Sequence, residues 1–187
     1  MPTTSEFRKG LKMELNGEPF IIVDFQHVKP GKGGAFVRTK LKSLLTGNIL
    51  EQTFRSGERV ESPDVEEKDT QFLYQDGGKY YFMDKESYWQ FELTEDQLGS
   101  NKDFLQENVT VTVLFYNQNP IGVELPIFVE LRIDRTEPGV RGDTASGGTK
   151  PARLETGAVV QVPLFLEEGD IIKIDTRTGE YVERVTK

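Results

Sequence analysis

Residues 20–39 read FIIVDFQHVKPGKGGAFVRT, two apolar, strand-like runs on either side of a turn rich in glycine. Pro30 fixes φ in this turn, and Gly31, Gly33 and Gly34 accept backbone dihedrals that are closed to other residues. The stretch therefore predicts a β-hairpin whose tip loop, Lys29 to Gly34, holds the ammonium group of Lys32 in solvent. Because its glycine neighbours lack side-chain bulk, a large molecule can approach Lys32 from several directions. The alternative interpretation is an ordinary turn with a hydrated lysine.

The glycines of this turn do not form the phosphate loop of a nucleotide hydrolase. That loop requires G-x-x-x-x-G-K-[S/T], in which the hydroxyl group after the lysine binds magnesium and the loop opens a helix. Here Gly33 follows Lys32, no glycine stands five residues before Gly31, and the next residues alternate like a strand. The pattern excludes this class of enzyme.

Short apolar runs separated by turn signals continue along the chain and predict an all-β protein of three small β-barrels. The predicted domains are 1–64, an SH3-like barrel that carries the Lys32 loop, then 65–128 and 129–187. In the second domain, five strands with a short helix at Thr94–Leu98 between the third and fourth indicate an OB-type barrel. Thr94 is predicted to cap that helix, with Asp96 and Gln97 behind it. The third domain contains strands and turns of similar length and spacing.

Several local features follow from this pattern. Asn16-Gly17 predicts a type I′ hairpin turn, and the polar segment 61–69 predicts a boundary between domains. Residues 138–149 are expected to form a glycine-rich loop, with the next strand at 158–162. The aromatic residues of the second domain are expected to pack in a core or between domains, because nearby acids would repel a phosphate chain; base stacking is the alternative. These aromatic residues are Tyr80, Tyr81, Phe82, Tyr88, Trp89 and Phe91.

The net charge of −8 is unevenly distributed. Residues 1–60 contain ten lysine and arginine residues against six acids, whereas residues 61–187 contain 13 against 25. Five cations and no acid fall between residues 29 and 42: Lys29, Lys32, Arg38, Lys40 and Lys42. A basic end on an acidic body is expected to steer that end toward phosphate while the body resists nonspecific RNA binding. The alternative is a solvated strand face.

Composition also limits the chemistry and the compartment. The chain has no cysteine, no signal-peptide pattern at its start and no run near the roughly 18 apolar residues that cross a membrane. We therefore expect a soluble cytoplasmic protein without disulfides or a membrane partner. The single histidine, His27, lacks a nucleophile motif and is expected to be a half-buried or solvated residue at a strand end. No metal-ligand spacing occurs, so neither an enzyme nor a cofactor is expected.

Four motifs, in this order and over essentially all 187 residues, resemble the bacterial elongation factor P family. They are residues 24–36 (DFQHVKPGKGGAF), Thr53-Phe54-Arg55, Gly142-Asp143-Thr144 and residues 168–176 (EGDIIKIDT). Each motif alone is weakly specific, but the four together are highly specific. The resemblance implies a KOW-type SH3-like first domain and two OB-type domains in an L-shaped arrangement similar to tRNA.

The resemblance further implies a translation elongation factor that binds both ribosomal subunits beside peptidyl-tRNA and relieves stalling at consecutive prolines. Position matching assigns Lys32 to the tip that reaches the CCA end of that tRNA, and Gly142-Asp143-Thr144 to the mRNA codon in the exit site. Arg38, Lys40, Lys42 and Arg55 are then expected to hold RNA phosphates. The protein is expected to act as a monomer.

Family members with lysine at the tip are extended by a β-lysyl or aminopentanol group or left bare, whereas a branch carries arginine with a sugar. The sequence leaves open which of these states applies to Lys32, and with it the partnership with a modifying enzyme. The rival function is an OB-barrel RNA-binding or RNA-chaperone module that acts off the ribosome.

Overall fold

The computed structural model describes residues 1–139 and 148–185, which form three antiparallel sheets joined in chain order. Each sheet has its own cluster of buried apolar side chains. The prediction of an all-β fold is confirmed. No helix in these two ranges is long and apolar enough to cross a membrane.

The first sheet has four strands in the order β1-β2-β3-β4. They are β1 (Lys12–Leu15), β2 (Glu18–Val28), β3 (Phe36–Ser43) and β4 (Ile49–Arg55). Asn16 and Gly17 between β1 and β2 have φ values of 54° and 79°, the two positive angles that a type I′ turn requires. Bridges between Thr3 and Arg59 and between Glu14 and Glu61 bring further segments onto this sheet.

The second sheet has five strands in the order β7-β6-β5-β8-β9. They are β5 (Val65–Asp76), β6 (Lys79–Asp84), β7 (Gln90–Thr94), β8 (Thr110–Tyr116) and β9 (Asn119–Glu124). Helix α1 (Glu95–Leu98) stands between β7 and β8 and is followed by a 3₁₀ helix, Gly99–Phe104. The amide of Gln97 donates to Thr94 Oγ1 at 3.3 Å, so the predicted cap is present. The Gln97 side chain also accepts from the Thr94 amide at 3.0 Å, which completes a capping box.

Strand β5 begins at Val65, inside the polar segment 61–69 in which the sequence predicts a boundary between domains. Residues 65–71 pair with β8 along their whole length. Their side chains from Glu66 to Asp69 are exposed. A strand with polar side chains along an exposed stretch lacks the alternation of apolar and polar residues by which strands are recognised in sequence.

The third sheet has five strands in the order β12-β11-β10-β13-β14. They are β10 (Phe128–Thr136), β11 (Thr149–Leu154), β12 (Val159–Pro163), β13 (Ile171–Asp175) and β14 (Glu180–Arg184). The sequence predicted no strand at β11, where a lysine and a proline interrupt the apolar pattern. Lys150 is nevertheless buried, and its Nζ donates to the carbonyl oxygen of Glu137 at 2.6 Å.

The second and third domains share packing at their junction. Phe104 follows the second domain's helix but is buried in the apolar cluster of the third sheet, whereas its neighbour Leu105 is buried in the cluster of the second. Leu125 packs against both clusters. The Thr156 hydroxyl group donates to the carbonyl oxygen of Asp103 at 2.6 Å. These contacts connect the two sheets through adjacent positions of one segment.

Candidate nucleic-acid interface

The Lys32 loop is the tip of a long hairpin, as the sequence predicted. Strands β2 and β3 pair from Phe20 with Ser43 up to Val28 with Phe36, so the loop spans residues 29–35. All six residues from Lys29 to Gly34 are exposed. Gly33 has φ of 108°, a conformation that favours glycine over residues with a side chain.

The surroundings of Lys32 are open. Apart from its own chain neighbours, a methyl group placed on Gly31 or Gly34 would meet no atom within 4 Å, and one on Gly33 would meet Pro30 Cγ at 3.9 Å. Among residues 1–139 and 148–185, no carboxylate lies within ion-pairing distance of the Lys32 Nζ. The loop therefore presents a solvated, positively charged group with free approach.

Four cations share the outer face of the first sheet. On β3, Val37, Thr39 and Leu41 point into the core, so the alternating Arg38, Lys40 and Lys42 point outward. Arg55 lies on the same face of β4, because its strand partner is Phe36 and Arg38 pairs with Thr53. Arg38 and Arg55 are thus diagonal neighbours, about 7 Å apart at Cα. The structure brings together the four residues predicted to contact phosphate.

Lys40 differs from the other three because acids flank it. Glu51 lies opposite on β4, with its Oε1 3.8 Å from Lys40 Nζ, and Asp24 lies opposite on β2. Asp24 also pairs with Lys9 at 3.1 Å, and the hydrogen bond and charge of Lys9 lower the pKa of this carboxyl group. No ion pair of Arg38, Lys42 or Arg55 is present within the two described ranges. Residues 29–42 contain no acid, but strand pairing places two carboxylates from outside this stretch beside Lys40.

His27 has the predicted character of an exposed residue at the end of β2. Its ring meets that of Phe25 edge-to-face, with 5.7 Å between centroids. No cluster of three or more potential metal-ligating side chains occurs in the part of the chain that the structure describes. The predicted mRNA-contacting residues Gly142, Asp143 and Thr144 lie outside the described residues.

The aromatic residues of the second domain divide between core and surface. Tyr80, Phe82 and Phe91 are buried, as predicted, and Tyr81 is half-buried, whereas Tyr88 and Trp89 are 71% and 52% exposed. The core prediction is wrong for these two because they fall at the turn between β6 and β7 rather than inside a strand. Trp89 lies against Phe91, with 5.0 Å between ring centroids.

Comparisons with known proteins match this chain to one family along its length. Family models match residues 3–60 as the elongation factor P KOW-like domain, 65–123 as its OB domain and 129–184 as the elongation factor P C-terminal domain. Elongation factor P of Natranaerobius thermophilus is 58% identical over 185 residues, 99% of this chain and 98% of that protein. Elongation factor P of Moorella thermoacetica is 55% identical over 184 residues, 98% of this chain and all of that protein.

A solved structure supports the fold alone. The eukaryotic translation initiation factor 5A from Methanococcus jannaschii aligns with a TM-score of 0.52 at 23% identity. The alignment covers 66% of this chain and 90% of that one.

Proposed function

The chain belongs to the elongation factor P family and is a translation elongation factor, and from this premise we propose that it binds the ribosome beside peptidyl-tRNA and promotes peptide-bond formation at consecutive prolines. The observation that carries this role is the exposed Lys32 ammonium group at the tip of the β2–β3 hairpin. The group has open space around it and no ion pair with any carboxylate of the described residues.

Lys32 acts by position rather than by proton transfer. Proline is a secondary amine with a fixed φ, so its reactive geometry in peptide transfer is hard to reach. A cation that hydrogen-bonds the end of peptidyl-tRNA removes orientational freedom before the bond forms, which lowers the barrier. The ribosome remains the catalyst, and the factor itself carries out no covalent chemistry.

The cations on the outer face of the first sheet fix the position of the tip by binding RNA. Arg38, Lys42 and Arg55 bind tRNA or ribosomal RNA phosphates without reading base sequence. Lys40 contributes less, because Asp24 and Glu51 already compensate its charge.

The remaining parts of the protein complete the ribosome complex. The three domains, 1–64, 65–128 and 129–187, form an L-shaped monomer in the cytoplasm that contacts both ribosomal subunits. Gly142-Asp143-Thr144 meets the mRNA codon in the exit site. A modifying enzyme that extends Lys32 would lengthen the reach of the tip; no cofactor is required.

Synthesis of a Pro-Pro-Pro reporter by a reconstituted translation system tests this function. Lys32→Ala should leave folding intact and lower the rate across the proline stretch at least tenfold, with little effect on a reporter without prolines. Lys85→Ala removes one exposed ammonium group from the second domain and serves as the charge-matched control. Full activity of Lys32→Ala would refute the assignment. Intact-protein mass spectrometry of the native protein determines whether Lys32 is modified.

A filter-binding comparison separates this role from a general RNA-binding module. The factor should bind intact ribosomes and bind free single-stranded oligonucleotides weakly, because the second and third domains are acidic. Tight binding to the oligonucleotides would favour the RNA-chaperone function instead.

A further inference from the structure

Lys12 connects the first domain to the second through two carboxylates. It lies on β1, and its Nζ is 2.5 Å from Glu67 Oε1 on β5 and 3.0 Å from Glu124 Oε1 on β9. It is the one cation in the described ranges that pairs with two acids. Both acids belong to the second sheet, so the contact joins two separately packed domains.

The Lys12 pair is more enclosed than the other ion pairs. Its side chain is 19% exposed, whereas the cation of every other ion pair among the described residues is at least 32% exposed. Burial lowers the pKa of Lys12, but the hydrogen bonds that its ammonium group donates to Glu67 and Glu124 outweigh burial and raise the pKa overall. Side chains on the surface rarely hold such a geometry, because entropy and solvent screening oppose it.

A second contact joins the same two hairpins at their other end. The hydroxyl group of Tyr116 donates to the carbonyl oxygen of Gly17 at 3.0 Å. Glu124 pairs with Thr112 and Tyr116 pairs with Asn119, so Glu124 and Tyr116 stand at opposite ends of the β8–β9 hairpin. The β1–β2 hairpin is therefore held at two points roughly 10 Å or more apart. Two separated contacts oppose rotation of the first domain relative to the second, which a single contact would permit.

The hairpin held in this way also carries the tip. Strand β2 begins at Glu18, beside Gly17, and runs for 11 residues to Val28, one residue before the tip loop. At about 3.3 Å per residue it spans roughly 30 Å, allowing for its bulge. A rotation of about 10° at its base would move Lys32 by about 5 Å, and misplacement by about 1 Å can cost a hundredfold in rate.

We propose that Lys12 is a positioning residue that locks the first domain to the second through Glu67 and Glu124 and thereby sets where the Lys32 tip lies. This inference rests on the proposed function only for its kinetic consequence. The lock itself is a property of the free protein.

Electron–electron distance measurements on the free, full chain test the lock. The chain has no cysteine, so Ser56→Cys and Asp76→Cys introduce the only two thiols for spin labels, one in each domain and both exposed. Lys12→Ala should widen the distance distribution at least twofold, because it leaves Glu67 and Glu124 facing each other without a cation. Lys12→Arg should restore the original width, since a guanidinium group binds two carboxylates.

Lys173→Ala is the matched control for this measurement. It removes an ion pair of similar length, 2.5 Å to Glu183, that lies wholly within the third domain. It should leave the distribution unchanged. If Lys12→Ala does not fold, Glu124→Gln replaces it, since this change weakens the lock at a side chain that is 40% exposed, against 19% for Lys12. If the folded variant gives a distance distribution of the original width, Lys12 does not lock the two domains together.

The Pro-Pro-Pro synthesis assay tests the positioning role. At saturating factor, Lys12→Ala should lower the maximal rate roughly three- to tenfold while the half-saturating concentration changes less than twofold. Partial unfolding would instead raise the half-saturating concentration and leave the maximal rate unchanged. A widened distribution with an unchanged maximal rate would overturn the positioning role. Full activity of Lys32→Ala in the same assay would refute the proposed function alone, because the distance measurement does not depend on it.

Discussion

Replacement of Phe104 by alanine should weaken the third domain although the residue stands in a segment of the second. Phe104 is 7% exposed and its side chain packs in the third domain's apolar cluster. Its neighbour Leu105, 5% exposed, packs in the second domain's cluster. Phe104→Ala and Leu105→Ala therefore remove adjacent side chains from two different cores and form a matched pair.

The expected magnitude is large for domains of this size. Truncating a buried phenylalanine to alanine costs about 3–5 kcal/mol, and a leucine about 2–5 kcal/mol. A domain of about 60 residues has a total stability of about 3–8 kcal/mol. A loss of about 3 kcal/mol raises the unfolded population roughly 150-fold, so much of the affected domain's stability disappears.

Hydrogen exchange and fluorescence separate the two domains. Phe104→Ala should speed amide exchange at least a hundredfold in β10–β14 and far less in β5–β9, while Leu105→Ala should do the reverse. Trp89 is the only tryptophan and lies in the second domain, so the urea midpoint of its fluorescence should fall mainly for Leu105→Ala. Faster exchange confined to β5–β9 in Phe104→Ala would refute the assignment of this ring to the third core.

Three further perturbations follow from side chains described above. Arg38→Ala should reduce the slope of log affinity for ribosomes against log salt by about one, and Lys40→Ala should reduce it less; equal reductions would contradict the compensation of Lys40 by acids. Thr39 is fully buried and its Oγ1 has no hydrogen-bond partner in the described residues, so Thr39→Val should raise first-domain stability by about 1 kcal/mol and slow exchange in β2–β4 about fivefold. Arg177 holds the pKa of Asp175 at about 2, so this carboxylate stabilises the fold above about pH 4 and the contribution is lost as pH falls toward 2. In Arg177→Ala, an NMR titration should show the Asp175 pKa rising toward 3.8, and acid should destabilise the third domain less.

A second threonine provides the control for Thr39→Val. Thr70 is also fully buried, but its hydroxyl group donates to the carbonyl oxygen of Val111 at 3.3 Å. Thr70→Val should therefore destabilise the second domain. Stabilisation by both changes would show that hydroxyl burial, rather than the missing partner at Thr39, governs the effect.

The features that depend on local backbone chemistry could be predicted from the sequence. Asn16-Gly17 gives the type I′ turn because its two residues tolerate positive φ. Thr94 and Gln97 give the capped helix for an equally local reason. The Lys32 loop follows from Pro30 and its glycines, whose positions decide that the chain turns there and leaves the lysine exposed.

The features that depend on pairing across the fold could not be predicted. Strand β11 contains Lys150 and Pro151, and it is a strand because β10 and β12 hydrogen-bond to it on either side. The two carboxylates beside Lys40 come from other strands, and nothing in the local sequence relates them to it. The contact of Lys12 with Glu67 and Glu124 spans 55 and 112 positions of the chain, so it became visible only in three dimensions.

The contact between residues 2–4 and residues 57–60, which closes the first barrel, has a practical consequence for work with this protein. The carbonyl oxygen of Pro2 accepts from the amide of Val60 at 2.9 Å, and the Thr4 hydroxyl group accepts from the amide of Gly57 at 2.7 Å. The next residue back, Ser56, bonds to Ala35 at the root of the tip loop. A purification tag fused ahead of Met1 would thus emerge near the root of the Lys32 loop, and assays should use protein from which such a tag has been cleaved.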